Sequence, residues 1–72
     1  MEYTVVIHPA KEGGYWTEVP ALPGCFSQGE TIEEALRNTK EAVECHLSAL
    51  REEGQEIAGD DGLLIGKVSI AA

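Results

Sequence analysis

The sequence predicts an α+β domain with the element order β-β-β-α-β, in which one helix packs on one face of a mixed four-stranded sheet. Three short β-branched or aromatic runs, separated by turns rich in glycine and proline, occupy the first 28 residues. A long segment with apolar residues at helical spacing follows them. A last apolar run, Leu63–Ala71, is typical of a fourth strand. Since crossovers between parallel strands are right-handed, we expect this strand beside the first one, which gives the sheet order 3-2-1-4.

The first two strands are predicted to form an antiparallel hairpin. Tyr3–His8 is rich in β-branched residues, and Pro9 ends the run because proline cannot donate to a strand ladder. Tyr15–Val19 has the same β-forming character. The turn between the two runs contains Gly13 and Gly14, which can adopt the positive φ angles of tight hairpins.

A stiff corner separates the second strand from the third. Pro20 and Pro23 fix two φ angles and remove two donors, so no strand continues through them. Leu22 lies between the prolines, and we expect its side chain in the core. Cys25–Gln28 is predicted to be a short third strand that ends at Gly29.

The helix is predicted to run from Ile32 to Glu53. Thr31 and Glu34 have the T-x-x-E spacing of a capping box at its start, and Gly54 is a suitable residue for its end. Apolar side chains then recur with a period near 3.6 residues. This stripe, expected to face the sheet, consists of Ile32, Ala35, Leu36, Ala42, Val43, Leu47 and Leu50.

One helix covers only one face of such a sheet, so the other face must be hydrated or be buried by another chain. Alternation along the strands places Val6 and His8 on that uncovered face, together with Trp16 and Glu18. A large aromatic side chain on an uncovered face is typical of an interface. We therefore predict that these four residues contact a partner protein or a second copy of the chain.

Length and charge restrict the function. Residues 1–72 form one domain, which is small enough that self-association, as a dimer or tetramer, is the expected source of extra stability. The net charge of −8 repels phosphate backbones, so direct nucleic-acid binding is not expected, and it favours docking to a basic protein. The sequence shows no signal peptide and no apolar run that could span a bilayer. We expect a cytoplasmic protein with reduced cysteines.

The residue pattern does not predict a metal, a cofactor or a catalytic thiol. Cys25, Cys45, His46 and His8 are the soft metal ligands, but they lack the paired spacing of zinc sites. Cys25 has no cation nearby in sequence to lower its pKa, so a buried structural role is predicted for it.

The element order also matches the first part of a ribonuclease H-like fold, whose enzymes hold two divalent metals with a cluster of carboxylates. The predicted first and last strands carry no acid at the positions that such a cluster needs. Asp60 and Asp61 could contact a cation, although a hydrated loop is the simpler interpretation. The sequence therefore predicts a protein that is not an enzyme, with residual hydrolase activity as the hypothesis to exclude.

Four short sequence motifs resemble those of one protein family. GYWTEVP, LPGC, SQGET and EEALRNTKEA, in this order between residues 14 and 42, are similar to the HicB-like antitoxins of prokaryotes. The resemblance covers roughly residues 3 to 53. It implies a degraded ribonuclease H-like fold without activity and a partner, HicA, which is a small basic endoribonuclease with the fold of a double-stranded-RNA-binding domain. The antitoxin would bind this toxin and neutralise it.

The chain departs from the family pattern in two places. Ala21 replaces an aspartate that is common in the family's VPDLPG corner. Family members also often continue into a DNA-binding segment, which is not expected here because the sequence ends with the predicted fourth strand. An alternative function is an orphan, self-associating scaffold that has the same fold but no toxin partner.

Overall fold

The computed structural model describes residues 1–71. It contains three strands followed by one helix: β1 (Val6–Pro9), β2 (Tyr15–Glu18), β3 (Phe26–Gly29) and α1 (Ile32–Glu52). The strands form one antiparallel sheet in the order β1-β2-β3. The predicted meander and the predicted helix are confirmed, with strand limits that differ from the prediction by at most three residues.

The hairpin between β1 and β2 is closed by a glycine turn. The amide of Gly13 donates to the carbonyl of Ala10 at 3.1 Å, and the amide of Ala10 donates to the carbonyl of Gly14 at 3.0 Å. Gly13 has a φ angle of 101° and Gly14 one of 75°, which residues with a Cβ rarely adopt. The turn fixes the register, in which His8 lies opposite Trp16.

The proline corner folds back on itself and supplies three of the four residues of the core cluster. The amide of Leu22 donates to the carbonyl of Val19, and the amide of Cys25 donates to the carbonyl of Leu22. Val19, Leu22 and Cys25 are buried and cluster with Leu47 of α1. The predicted core position of Leu22 is therefore confirmed.

Both ends of the helix are capped by the residues that the sequence indicated. The hydroxyl of Thr31 accepts from the amide of Glu34 at 3.1 Å. The Glu34 carboxylate accepts from the amide of Glu30, one residue before the position that a standard capping box would use. At the other end, the amides of Gly54 and Gln55 donate to carbonyls of the last turn, and Gly54 has a φ angle of 72°. This is the bonding pattern of a Schellman motif.

The helix crosses the sheet at short range. Ala35 is fully buried, and Gly29 at the end of β3 lies against its backbone. A Cβ atom built on Gly29 would stand 2.8 Å from the Ala35 Cα atom, so only glycine permits this approach. One helical turn further along α1, the hydroxyl of Thr39 is hydrogen-bonded to the hydroxyl of Thr17 of β2.

The prediction of a fourth strand was wrong. Leu63–Ala71 follows a turn at residues 60–63 and pairs with no strand among residues 1–71, so the sheet order 3-2-1-4 does not occur. Leu64 is 91% exposed and Val68 is 85% exposed. The apolar alternation of this segment indicated a need for burial, but a strand exists only when a neighbouring edge pairs with it. We call residues 63–71 the C-terminal arm.

The segment between the helix and the arm is attached to the N-terminal residues. The Tyr3 hydroxyl donates to the carbonyl of Ala58 at 2.6 Å. The amide and hydroxyl of Thr4 both donate to one carboxylate oxygen of Asp60. Ile57 packs against the core cluster. The chain therefore passes close to the start of β1 before the arm begins.

Candidate protein-binding face

The four residues that the sequence predicted as an interface lie on one face of the sheet, opposite α1. Val6 is paired with Glu18, and His8 is paired with Trp16. Paired residues on antiparallel strands project to the same side, while the intervening Thr17 projects to the helix and is buried. The structure thus brings Val6, His8, Trp16 and Glu18 together, and whether they contact a partner stays a prediction.

An aromatic stack forms the centre of this face. The rings of His8 and Trp16 are parallel within 12°, and their centroids are 4.0 Å apart. The Nε2 atom of His8 lies 3.6 Å from a carboxylate oxygen of Glu18 and has no hydrogen-bond partner among residues 1–71. Trp16 nevertheless stays 38% exposed. The stack holds a flat aromatic surface in a fixed orientation at the solvent boundary.

Phe26 is a member of this face that the sequence analysis missed. It pairs with Glu18, its ring centroid lies 6.3 Å from that of Trp16, and it is 58% exposed. Gln28 pairs with Trp16 and projects to the same face of the sheet. The sequence could have shown this, because Phe26 and Gln28 alternate on the predicted third strand and must project to the same face as the residues that they pair with. We call Val6, His8, Trp16, Glu18, Phe26 and Gln28 the open face.

A polar cleft of about 260 Å³ borders the open face at Trp16. Its walls come from the β1–β2 turn, the end of β3 and the first turns of α1. Glu30 is exposed there, and the Asn38 amide donates to the carbonyl of Gln28 at 2.8 Å. The cleft offers carboxylate and carbonyl acceptors next to an aromatic ring, which suits a basic side chain.

The cysteines and histidines do not converge. Cys25 is buried in the core, as predicted, and burial raises the pKa of its thiol. Cys45 is exposed on the helix, and no group of three metal-ligating side chains occurs within residues 1–71. In the described part of the chain, His8 is the histidine that belongs to the open face.

Asp60 has a structural contact rather than a hydrated loop position. Its Oδ2 atom accepts both hydrogen bonds from Thr4, at 2.7 Å from the amide and 2.5 Å from the hydroxyl. Its other oxygen is shielded from solvent. Asp61 beside it is exposed. Sequence reasoning could not distinguish these two neighbours, because the partner of Asp60 lies 56 residues away.

The structure is a small α+β domain in which a helix packs on one face of the sheet and the other face presents exposed aromatic side chains. No helix within residues 1–71 is long and apolar enough to cross a membrane. A family model described as HicB-like antitoxin of bacterial toxin-antitoxin systems matches residues 3–64. The chain therefore belongs to the HicB-like antitoxin family, and the resemblance found in the sequence is confirmed.

Relatives from archaea and bacteria match most of the chain. A UPF0150 protein of Thermoplasma acidophilum is 46% identical over 61 residues, which cover 85% of this chain and 88% of the relative. A UPF0150 protein of Synechocystis is 41% identical over 68 residues, which cover 94% of this chain and 85% of that protein.

Two solved structures share the fold. The antitoxin HicB of Burkholderia pseudomallei is 38% identical with a TM-score of 0.71, and the match covers 79% of this chain and 43% of HicB. The N-terminal domain of the same antitoxin is 29% identical with a TM-score of 0.73, over the full length of both chains. This chain thus spans less than half the length of the complete HicB protein.

Proposed function

We propose that this protein is an antitoxin that binds a small, basic, RNA-cleaving toxin of the HicA type and neutralises it by covering its surface. Membership of the HicB-like antitoxin family, over residues 3–64, is the observation that carries the proposal. The protein acts by binding and performs no catalysis of its own.

The charge of the chain supports a basic partner. Thirteen acidic residues against five basic ones give a net charge of −8. An RNA-cleaving protein must attract phosphates, so its working surface is positively charged. Opposite charges accelerate the encounter of the two proteins, and the antitoxin then occupies the surface that RNA would use. The same charge disfavours direct binding of nucleic acid by this chain.

The open face is the surface that we assign to the toxin. Trp16 and Phe26 are neighbouring exposed aromatic residues on this face. Tryptophan is enriched among the residues that dominate binding energy in protein interfaces. Glu18 lies on the same face, between Val6 and Phe26, and can pair with a lysine or arginine of the toxin. The polar cleft beside Trp16 can receive a second basic side chain, with Glu30 as its acid.

Co-expression tests the proposal. The chain is produced together with the product of a neighbouring small basic reading frame whose expression alone arrests growth. We expect restored growth and a stable complex that survives affinity purification. Restored growth should be lost with Trp16→Ala and with Glu18→Lys. Failure of the wild-type chain to bind any such product, or to restore growth, would contradict the proposal and favour the orphan scaffold.

A matched control separates the open face from charge in general. Glu41→Lys makes the same change of charge as Glu18→Lys, but on an exposed turn of the helix away from the open face. We expect the Glu41 variant to keep nearly all the binding and the Glu18 variant to lose it. Equal losses would show that net charge, and not this face, recognises the toxin.

The absence of catalysis has its own assay. RNA–DNA hybrids are incubated with the purified protein and Mg²⁺ or Mn²⁺, and we expect no cleavage above the buffer control. Cleavage above that control that needs the divalent metal and persists through purification would establish residual hydrolase activity instead.

A further inference from the structure

An apolar groove lies between α1 and the residues that lead into β1. It has a volume of about 330 Å³. The N-terminal part of the chain contributes Tyr3 and Val5, and the helix contributes Leu36, Val43 and Leu47. Leu36 was predicted to be in the core, yet it is 41% exposed because none of residues 1–71 covers the groove.

The same border of the molecule has an unpaired backbone. Within residues 1–71, β1 forms a ladder with β2 and with no other strand. Its outer edge therefore presents free amide and carbonyl groups that continue from Val5 at the end of the groove. An unpaired edge next to uncovered apolar side chains is a site for an added strand.

The C-terminal arm has the properties of such a strand. Leu64, Val68 and Ile70 lie at alternating positions, so they share one side of an extended chain. Each of the three is more than four-fifths exposed. Nine residues in extended conformation measure about 30 Å, which is enough to follow the whole of β1 and the residues before it.

The arm does not fill the groove of its own chain. It starts at the turn that Asp60 fixes against Thr4, where the amide of Leu63 donates to the carbonyl of Asp60 at 3.0 Å. From there it leaves the body, and the molecule measures 46 Å along its longest axis. The radius of gyration is 14.0 Å. A fully compact chain of this length would have a value of about 11 Å.

We propose that two copies of this chain exchange their C-terminal arms, each arm adding a strand to β1 of the other copy and covering its groove. Each copy has one free arm and one empty groove, so a two-fold exchange satisfies both and leaves neither exposed. Charge favours the contact, because all thirteen acidic residues precede the arm and its single charged side chain is Lys67. The arm therefore approaches an acidic body as a cationic segment.

The exchange places the two interfaces of the protein on different surfaces. Leu64, Val68 and Ile70 would enter the groove on the helix side of the sheet. The open face with Trp16 lies on the opposite side and stays accessible to another protein. Self-association and partner binding can then occur in the same particle.

Sedimentation of the full chain tests the exchange. The wild type should have twice the mass of one chain, and Val68→Asp should weaken the dimer about a hundredfold, since a carboxylate would enter an apolar groove. Ser69→Asp adds the same charge on the opposite side of the arm and should keep the dimer. A wild type that sediments as a single chain, or equal weakening by both variants, would overturn the proposal.

Isotope-filtered NMR identifies which chain supplies the arm. Carbon-13-labelled and unlabelled copies are mixed, unfolded and refolded together. Cross-peaks between methyl groups of Val68 or Ile70 in one copy and of Leu36 or Val43 in the other are expected. A dimer in which these methyl groups meet only within one chain, or do not meet, would refute arm exchange. Protected β1 amides in Val68→Asp would show that this variant still folds.

Discussion

Thr17 donates a hydrogen bond to Thr39 across the buried boundary between sheet and helix. Their hydroxyl oxygens are 2.6 Å apart, and the Thr39 hydroxyl also lies 2.6 Å from the Ala35 carbonyl. A hydroxyl has one proton, and Thr39 gives its proton to that carbonyl. The proton between the two threonines therefore belongs to Thr17. Both side chains are buried, so this pair fixes which face of the sheet the helix covers and which remains open.

Substitutions of the threonine pair should have unequal effects. Thr39→Val leaves the Thr17 donor buried without an acceptor and should cost about 1–3 kcal/mol of unfolding free energy. Thr17→Val removes the donor, but Thr39 keeps its own hydrogen bond to the Ala35 carbonyl, so this variant should cost less. The double variant should cost less than the sum of the two single variants. Urea unfolding of all three proteins measures this. A Thr17→Val variant that loses as much stability as Thr39→Val would contradict the assigned direction, and additive effects would mean that the two hydroxyls do not interact.

Gly29 should tolerate no side chain. Gly29→Ala forces β3 away from Ala35, and we expect a loss of about 2–3 kcal/mol, in the upper range for overpacking. Gly59→Ala is the matched control, since a Cβ there meets no atom closer than 4.0 Å. Thermal unfolding compares the two variants. A Gly29 variant as stable as the control would show that the helix lies further from the sheet.

Asp60 and Asp61 should differ sharply although they are neighbours. Asp60→Ala removes both acceptor contacts to Thr4, and each such bond contributes about 1 kcal/mol to stability. Asp61→Ala should change the free energy of unfolding by less than about 0.5 kcal/mol, as exposed positions usually do. Hydrogen exchange at the Thr4 amide reports the contact directly. Equal exchange rates in both variants would mean that Asp60 does not hold the N-terminal residues.

The two cysteines should react at different rates. Cys45 is exposed, whereas Cys25 is buried and has a raised pKa, so little of it is thiolate near neutral pH. One thiol per chain should be labelled quickly at pH 7, and labelling of Cys25 should gain speed as the pH rises or when denaturant is added. Mass spectrometry after digestion assigns the sites. Fast labelling of Cys25 at pH 7 would place it outside the core.

Local signals predicted the elements that depend on neighbouring residues. The glycine turn, the proline corner and the Thr31 cap are all contained within a few residues, and each occurs where the sequence indicated. Alternation also placed Val6, His8, Trp16 and Glu18 on one face, because hairpin register follows from a short turn.

The errors concern contacts made over long distances in sequence. The arm has the alternation of a strand, but sequence pattern does not say which chain supplies the neighbouring edge. Leu36 continues the apolar stripe, yet it faces a groove rather than a filled core. The Thr4–Asp60 contact, across 56 residues, also depended on the folded arrangement. The suggested ribonuclease H-like ancestry stays a prediction.

Fluorine NMR of Trp16 shows whether the open face receives the toxin. The chain contains one tryptophan, so labelling with 5-fluorotryptophan gives a single resonance from the centre of that face. When unlabelled toxin is added and sedimentation shows a complex, the resonance should shift and lose its sensitivity to solvent isotope. If a complex forms while this resonance stays unchanged and exposed to solvent, the toxin does not bind at the open face.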